Sequence, residues 1–291
     1  MASRALYSIS PDWTVAGGRL DELLSKAEFR VLKKTPRTLA GIAQVNGIEV
    51  FVKRVTNGSW ARGVIARFCG SRARKTIGGA EILRRAGFSH PSLIAAYEQC
   101  EGGSVRASYV IVEYLHRPKI LSRFAFADGR DFRWRQRLSE RVAQTIRSLH
   151  DAGCYTRDLQ ETNLMLEAQC SGLKIYFTDL EDFRRLPLVP RRIRLLNLIH
   201  LDRSIGRFVS RAHRLRFFYY YLGGKPSRAE ARALVWRLHR IRERIERRKR
   251  RRQRSTAIVI PPSCRSESEQ IPDAPPNRAA VSFPQSLIGK E

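Results

Sequence analysis

The sequence has few cysteines and no long hydrophobic run. Its five cysteines are scattered over 291 residues, and no two have the Cys-x-x-Cys spacing. Because a disulfide framework or a zinc site needs closely paired cysteines, we expect free thiols in a reducing compartment, the cytosol. No apolar run approaches the roughly 20 residues that cross a bilayer. The first residues also lack the apolar core of a secretory signal. These absences argue against an exported or an integral membrane protein.

Acidic residues are scarce as well. The chain has 27 Asp and Glu against 55 Lys and Arg, which gives a net charge of +28. Such an excess favours a polyanionic partner, either a nucleic acid or an anionic membrane, and composition does not choose between them. The hydrophobic content of 43% is ordinary for a globular protein. The length therefore predicts one or two domains with a full core.

The first part of the chain, 27–115, is predicted to be a lobe of strands around one helix. Asn46 and Gly47 separate two β-branched runs, which is a strong signal for a two-residue hairpin. A connection rich in Gly and Arg then leads to a helix around Arg72–Ala86. The strands are predicted at 29–33, 39–45, 48–55, 93–98 and 108–114. Residues 1–26 are predicted to be an N-terminal extension of this lobe.

The second part, 116–254, is predicted to be mainly helical, so the fold class is α+β with two lobes. Asp131 to Ala152 has apolar residues at steps of three and four, typical of an amphipathic helix. Short strands are expected at 164–166 and 173–177. A last helix is expected from Arg228 to about Arg254. The tail, 255–291, has six prolines and six serines among 37 residues and is expected to be disordered.

Five polar residues occur in an order that suits phosphoryl transfer. Lys53 lies late in an apolar strand, Glu81 lies on the next helix, Asp158 and Asn163 are five apart, and Asp179 ends a later strand. In such a site the lysine contacts the nucleotide phosphates and the glutamate orients it. An asparagine and an aspartate hold Mg²⁺, and a loop aspartate accepts the proton of the acceptor hydroxyl. Magnesium prefers oxygen ligands, which these residues supply. The series predicts ATP and Mg²⁺ as cofactors.

Each of these residues also has an ordinary structural explanation. A strand lysine can extend its head into water, and Glu81 precedes Arg84 and Arg85 as a surface helix charge would. Aspartates are common in turns and at strand ends. The ordered series is much rarer than any one member, so we favour the kinase interpretation.

The series resembles the protein-kinase-like superfamily and, more narrowly, the lipopolysaccharide kinase (Kdo/WaaP) family, over about Phe29–Arg216. Asp179-Leu-Glu stands in place of Asp-Phe-Gly, and no Ala-Pro-Glu follows it. Only a short basic stretch, Arg184–Arg194, precedes Leu195–Ser204, which resembles the family's next helix. The resemblance implies a two-lobed protein-kinase-like fold. It also implies transfer of phosphate from ATP to an inner-core sugar, Kdo or heptose, of lipopolysaccharide.

The resemblance also implies roles for the series. Asp158 would be the catalytic base, and Asn163 and Asp179 would be the metal ligands. Lys53 and Glu81 would be the pair that orients the nucleotide.

Other nucleotide contacts follow from the same resemblance. Val112–Leu115 resembles the hinge between the lobes, so the backbone of Glu113 and Leu115 would bind adenine. The phosphate-covering loop has a single glycine, and Lys33 and Lys34 would help to hold the phosphates there.

Two positions depart from the general kinase pattern. Thr156 stands where a histidine usually precedes the Arg-Asp pair. Glu181 replaces a glycine, which would either limit the flexibility of the chain there or add a carboxylate near the metal.

Two other functions remain open: a protein Ser/Thr/Tyr kinase, and a basic kinase-like scaffold that binds membrane or RNA. Residues 237–254 include 11 Lys or Arg among 18. This run is either a solvated helix end or an attachment to an anionic membrane. No aromatic residues are interleaved for base stacking, which argues against nucleic acid. The expected partners are a lipid-linked core sugar and the inner face of a bacterial inner membrane, and no protein partner is predictable.

Overall fold

The computed structural model describes residues 2–9, 29–45, 47–126, 131–170, 172–206, 208–224, 227, 240, 243 and 247. The chain divides into two units, Met1–Arg242 and Glu243–Glu291. In the second unit, Glu243 and Arg247 form an ion pair at 3.6 Å. Apart from three isolated helical positions, the basic helix predicted over 228–254 lies outside the described residues, as does the tail predicted over 255–291.

The N-lobe is built on a six-stranded antiparallel sheet in the order β1-β5-β6-β4-β3-β2. The predicted hairpin is confirmed, and Gly47 at its turn has a φ of 75°. The first strand falls in the segment expected to be an extension, and it pairs with β5 at the sheet edge. The strands are β1 (Ala2–Ser8), β2 (Arg30–Lys34), β3 (Thr38–Val45), β4 (Ile48–Thr56), β5 (Leu93–Glu101) and β6 (Ser104–Glu113).

Two helices connect β4 to β5. The helix predicted around Arg72–Ala86 is confirmed as α2 (Arg72–Arg85). The segment before it, expected to be a connection, instead contains α1 (Trp60–Cys69). The hydroxyl of Ser59 caps α1 by accepting a hydrogen bond from the Arg62 N–H at 3.4 Å. Only Gly63 is buried on α1, so the apolar residues of this helix do not form a stripe that faces the core.

The C-lobe is mainly helical, as predicted. Its long amphipathic helix is confirmed as α4 (Phe132–Asp151), which buries residues spaced three and four apart. Asp131 caps this helix by accepting the Trp134 N–H at 2.6 Å. The other helices are α3 (Leu121–Ala125), α5 (Arg191–Ile205) and α6 (Arg211–Leu222). The small strands are β7 (Lys119–Ile120), β8 (Cys154–Thr156), β9 (Leu164–Gln169), β10 (Gly172–Phe177) and β11 (Phe183–Arg185).

Two apolar clusters hold these elements together. One fills a single face of the N-lobe sheet, around Val50, Val52 and Ile111. The other joins the opposite face of that sheet and α2 to α4 and the small C-lobe strands. This second cluster fixes the N-lobe helix against the C-lobe. None of the described helices is both long and apolar enough to cross a membrane.

Helix α2 approaches the C-lobe most closely at Gly79. A Cβ added to this residue would overlap the carbonyl of Leu180, which begins the short 3₁₀ helix Leu180–Asp182 after β10. The preceding residue, Gly78, has no heavy atom within 4 Å of the place where its Cβ would lie. The small size of residue 79 therefore lets α2 contact the segment that contains Asp179 and Glu181.

The two adjacent glycines of α2 give a matched test of this contact. We expect Gly79→Ala to lower the free energy of unfolding by about 1–3 kcal/mol, because the methyl group overpacks the contact with Leu180. Gly78→Ala should raise the same quantity by about 0.5–1 kcal/mol, since alanine favours an exposed helix position. Urea denaturation of both variants at neutral pH measures the difference. Equal effects would contradict the close approach.

Candidate active site

Lys53 lies in the middle of the N-lobe sheet. It is paired with Ala40 on β3 and with Val110 on β6. Side chains alternate along a strand, so Lys53 faces away from the cluster that contains Val52. Its Nζ donates to Asp179 Oδ1 at 2.8 Å and to Glu181 Oε1 at 3.4 Å. Burial alone would lower the pKa of Lys53, but these two carboxylates outweigh it and raise the pKa. The ammonium group is therefore charged at neutral pH.

Asp179 has the backbone conformation of a strained functional residue. Its φ of 56° and ψ of 54° lie in the left-handed region, and no other non-glycine residue among those described has a positive φ. Such a conformation is costly for an L-residue and persists when surrounding contacts impose it. Here the ion pair with Lys53 holds the carboxylate in place.

The expected pair between Lys53 and Glu81 is not formed. The Glu81 carboxylate accepts hydrogen bonds from Arg84 and Arg85 at the protein surface. These hydrogen bonds lower the pKa of Glu81 to about 2, and the bond from Arg84 contributes most. The reason lies in the orientation of α2, which buries Ala80 and so turns the next residue toward its outer side.

Glu181 instead provides the second carboxylate at Lys53. Its side chain is buried, and the residue is only 7% exposed. It accepts hydrogen bonds from Lys53 and from Arg72 Nη1, the latter at 2.5 Å. Arg72 starts α2, so this helix contributes a cation to the site and the turn after Asp179 contributes the anion. The sequence indicated this residue only through the replacement of a glycine by Glu181 after Asp179-Leu.

Asp158 lies in the loop between β8 and the 3₁₀ helix Glu161–Asn163. The Gln160 side chain donates to Asp158 Oδ1 at 2.6 Å. The Asp158 N–H donates to Thr156 Oγ1 at 3.3 Å. Thr156, which stands in the usual place of a histidine, thus supports the loop directly. The sequence carries no motif that would identify Gln160 as a partner of Asp158.

Asn163 connects this loop to the segment that precedes Asp179. Its Nδ2 donates to the backbone carbonyl of Asp158 at 2.9 Å, which leaves its Oδ1 available as an acceptor. The Thr178 N–H donates to the Asn163 carbonyl at 3.0 Å. This backbone bond places Asn163 beside the residue that directly precedes Asp179.

The oxygen atoms near this loop are suitable ligands for a hard cation. The carboxylates of Asp179, Glu181 and Asp182 lie within 4.8 Å of one another. Together with Asn163 Oδ1, the donor set consists of oxygen atoms alone, as Mg²⁺ prefers.

The remaining predicted nucleotide contacts lie around this cluster. Lys33 and Lys34 are exposed at the end of β2, and Lys33 pairs with Ala40, the residue that also pairs with Lys53. Lys33 is therefore two strands from Lys53 in the same row of the sheet. Glu113 ends β6 at the surface, and Leu115 follows half-buried. No hydrogen bond or ion pair between described side chains joins these four residues to Lys53.

A buried histidine supports the loop that contains Asp158. His150, at the end of α4, lies 2.8 Å from the Tyr221 hydroxyl through Nδ1 and 3.1 Å from Asn197 Oδ1 through Nε2. The Asn197 Nδ2 donates to the Thr156 carbonyl at 2.8 Å. Burial lowers the pKa of His150 to about 4, so the imidazole is neutral. A neutral ring donates from Nε2 to Asn197 and accepts the Tyr221 hydroxyl at Nδ1.

His150 predicts a specific dependence of stability on pH. Its imidazole binds protons near pH 6.5 in the unfolded chain and only near pH 4 in the folded protein. Between these values the unfolded state binds more protons, so the free energy of unfolding falls as the pH is lowered. We expect a slope of up to about 1.4 kcal/mol per pH unit from this one residue.

Denaturation by urea at several pH values between about 6.5 and 5 measures this slope. His150→Gln should lose most of this slope, and His116→Gln, whose side chain is 60% exposed, is the control for replacement of a histidine. An unchanged slope in His150→Gln would show that the imidazole titrates normally in the folded protein.

The fold and the site together define a class of protein. A sheet lysine bound to an aspartate after a later strand, beside an Asp-x-x-x-x-Asn loop, is the arrangement of kinase-like phosphotransferases. The family model described as the lipopolysaccharide kinase (Kdo/WaaP) family matches residues 33–221. The chain therefore belongs to this family, as its motifs predicted.

Comparison with solved structures agrees on the fold. A structure of WaaP in complex with acyl carrier protein is similar over 83% of this chain and 98% of that chain, with a TM-score of 0.61 and 20% sequence identity. This similarity confirms the predicted kinase-like fold. A comparison with curated protein sequences gave no match. Membership of the family makes the protein a phosphotransferase, and it implies a nucleotide substrate, a metal and a lipopolysaccharide acceptor.

Proposed function

We propose that the protein transfers the γ-phosphoryl group of ATP, with Mg²⁺, to a hydroxyl of an inner-core sugar of lipopolysaccharide, Kdo or heptose. The observation that supports this most directly is the contact between Lys53 and Asp179 at 2.8 Å. It unites the residue suited to the nucleotide phosphates with the residue suited to the metal, although 126 positions separate them in the chain.

Asp158 is the base in this proposal. Gln160 occupies Oδ1, so Oδ2 is the oxygen that accepts the proton of the sugar hydroxyl. The bond to Gln160 and the bond from the backbone N–H to Thr156 fix the orientation of the carboxylate. Such positioning of a general base is required for efficient proton transfer.

Lys53 neutralises negative charge on the phosphates. Because Asp179 and Glu181 keep it protonated, it offers a fixed cation at neutral pH. Lys33 and Lys34 add positive charge from β2, and the backbone of Glu113 and Leu115 is proposed to bind adenine.

Asn163 and Asp179 are the proposed metal ligands. A Mg²⁺ held by these two residues would supply positive charge to the nucleotide phosphates. Glu181 is already bound by Lys53 and Arg72, so we assign it to positioning Lys53 rather than to the metal. Glu81 keeps no place in this arrangement, since its carboxylate is occupied by Arg84 and Arg85.

A sugar acceptor is favoured over a peptide by the length of one segment. β11 ends at Arg185 and α5 begins at Arg191, which leaves five residues between them. This connection is short for the activation segment on which protein kinases seat a peptide. We propose that the protein acts at the cytoplasmic face of the inner membrane, where a lipid-borne acceptor would be presented. Because the similar WaaP structure is a complex with acyl carrier protein, that carrier is a second candidate partner.

Replacement of the proposed base tests the reaction. Asp158→Asn should lower transfer of labelled γ-phosphate from Mg²⁺-ATP to a lipid-linked Kdo or heptose acceptor by about 10²–10⁴-fold. Nucleotide binding should persist in this variant, because Asp158 contacts the acceptor. Asp179→Asn should lose both transfer and the Mg²⁺ dependence of nucleotide binding.

Glu101→Gln, in the β5–β6 hairpin, is the control for a lost surface charge. Wild-type turnover in Asp158→Asn would exclude this residue as the base. Transfer to a general protein substrate in place of the glycolipid would assign the chain to the protein kinases.

Glu181 and Glu81 give a second matched test. Glu181→Gln should lower kcat/KM for ATP by about 10–100-fold, because Lys53 and Arg72 lose a shared carboxylate and Lys53 is no longer held in position. Glu81→Gln should remain within about twofold of wild type, since the residue binds only surface arginines. The reverse order of effects would return the orienting role to Glu81.

A further inference from the structure

Helix α1 exposes the side that an amphipathic helix normally buries. Gly63 faces the β5–β6 hairpin, where an added Cβ would overlap Ser104 and Val105. Ala61, Ile65 and Phe68 follow one another at helical spacing on the opposite side. Ile65 is 59% exposed and Phe68 is 81% exposed.

Trp60 extends this apolar surface at the start of the helix. It is 57% exposed, although its backbone carbonyl accepts a hydrogen bond from Ser104. Single exposed apolar residues are common on protein surfaces. Ile65 and Phe68 lie on one side of α1 and Trp60 lies at its N-terminal end, so a helix of ten residues exposes three large apolar side chains, and such exposed apolar surfaces mark interaction sites. We call Trp60, Ile65 and Phe68 the α1 patch.

The charge around the α1 patch has one sign. Between Glu49 and Glu81 the sequence has no Asp or Glu and seven Lys or Arg. Arg62 and Arg67 lie on α1 itself, and both are exposed. The hairpin under the helix contains Glu101, but Arg106 pairs with it at 2.8 Å. An apolar surface that carries the exposed cations Arg62 and Arg67 is complementary to an apolar phase with an anionic boundary.

We propose that the α1 patch inserts into the interfacial region of an anionic phospholipid membrane. An interfacial helix buries aromatic and aliphatic side chains among the acyl chains while basic residues meet the headgroups. Tryptophan is the residue favoured at that boundary. A membrane also suits the size of the patch, because a helix of ten residues is only about 15 Å long. A stable protein interface needs about 800 Å² on each partner.

Only the biological use of this docking rests on the proposed function, since docking would bring the enzyme to a lipid-borne acceptor. The docking itself concerns a surface formed by α1 and not the residues around Lys53. It is therefore tested by a physical measurement that needs neither ATP nor a sugar.

The test uses the full chain and vesicles of phosphatidylcholine, alone or mixed with phosphatidylglycerol. Residues 237–254 can adsorb to anionic vesicles by charge alone, so insertion is measured as quenching of tryptophan fluorescence by brominated acyl chains. Because the chain has four tryptophans, we expect quenching with the anionic vesicles and a clearly smaller quenched fraction in Trp60→Phe. Equal quenching in wild type and Trp60→Phe would overturn the proposal.

A paired substitution measures the contribution of the patch to affinity. Ile65→Glu combined with Phe68→Glu should weaken partition onto anionic vesicles by about tenfold or more, because two inserted apolar side chains become charged. Leu188→Glu is the matched control, as Leu188 is 70% exposed and lies on the C-lobe. Unchanged partition of the double variant would overturn the proposal. So would an α1 patch that binds acyl carrier protein but no vesicles.

Activity then separates this proposal from the proposed function. The double variant should phosphorylate a core oligosaccharide freed of its lipid at the wild-type rate and lose transfer only to the vesicle-borne acceptor. If wild type phosphorylates neither acceptor, the proposed function fails while the quenching result stands. If the double variant loses transfer to both acceptors, α1 supports the catalytic fold and the docking role is excluded.

Discussion

The ion pairs of Lys53 hold the site together. A lysine in the middle of a sheet is stable as a cation only where carboxylates compensate for its burial. Asp179 and Glu181 come from a turn in the other lobe, so the same contact that charges the lysine also joins the lobes. Gly79 permits it, because any larger residue would push α2 away from the turn at Leu180. The left-handed conformation of Asp179 is the local cost of this arrangement.

The loop that contains Asp158 is held in place by a different type of interaction. Neutral hydrogen bonds run from Tyr221 through His150 and Asn197 to the carbonyl of Thr156. All four of these residues are buried, and the bonds between them make the loop rigid without adding a charge near Asp158.

Helix α1 shows that local pattern and tertiary environment can disagree. Its apolar residues have helical spacing, yet a glycine faces the core and the large side chains face outward. The pattern by itself would predict that the apolar side of this helix is buried. Because the segment was rich in Gly and Arg, a connection was the natural expectation. The close approach of Gly63 to the β5–β6 hairpin decided otherwise.

Local sequence was sufficient to predict most of the elements and much of the chemistry. The hairpin at Gly47, the long helix α4 and the family were predicted because periodicity, turn residues and ordered motifs are local properties of a chain. The sequence did not determine which glutamate reaches Lys53, because that depends on how α2 rotates against the sheet. Nor did it reveal His150, whose role exists only where α4, α5 and α6 meet. Long-range packing decides such contacts, because it determines which polar groups are buried next to one another and must satisfy each other's hydrogen bonds.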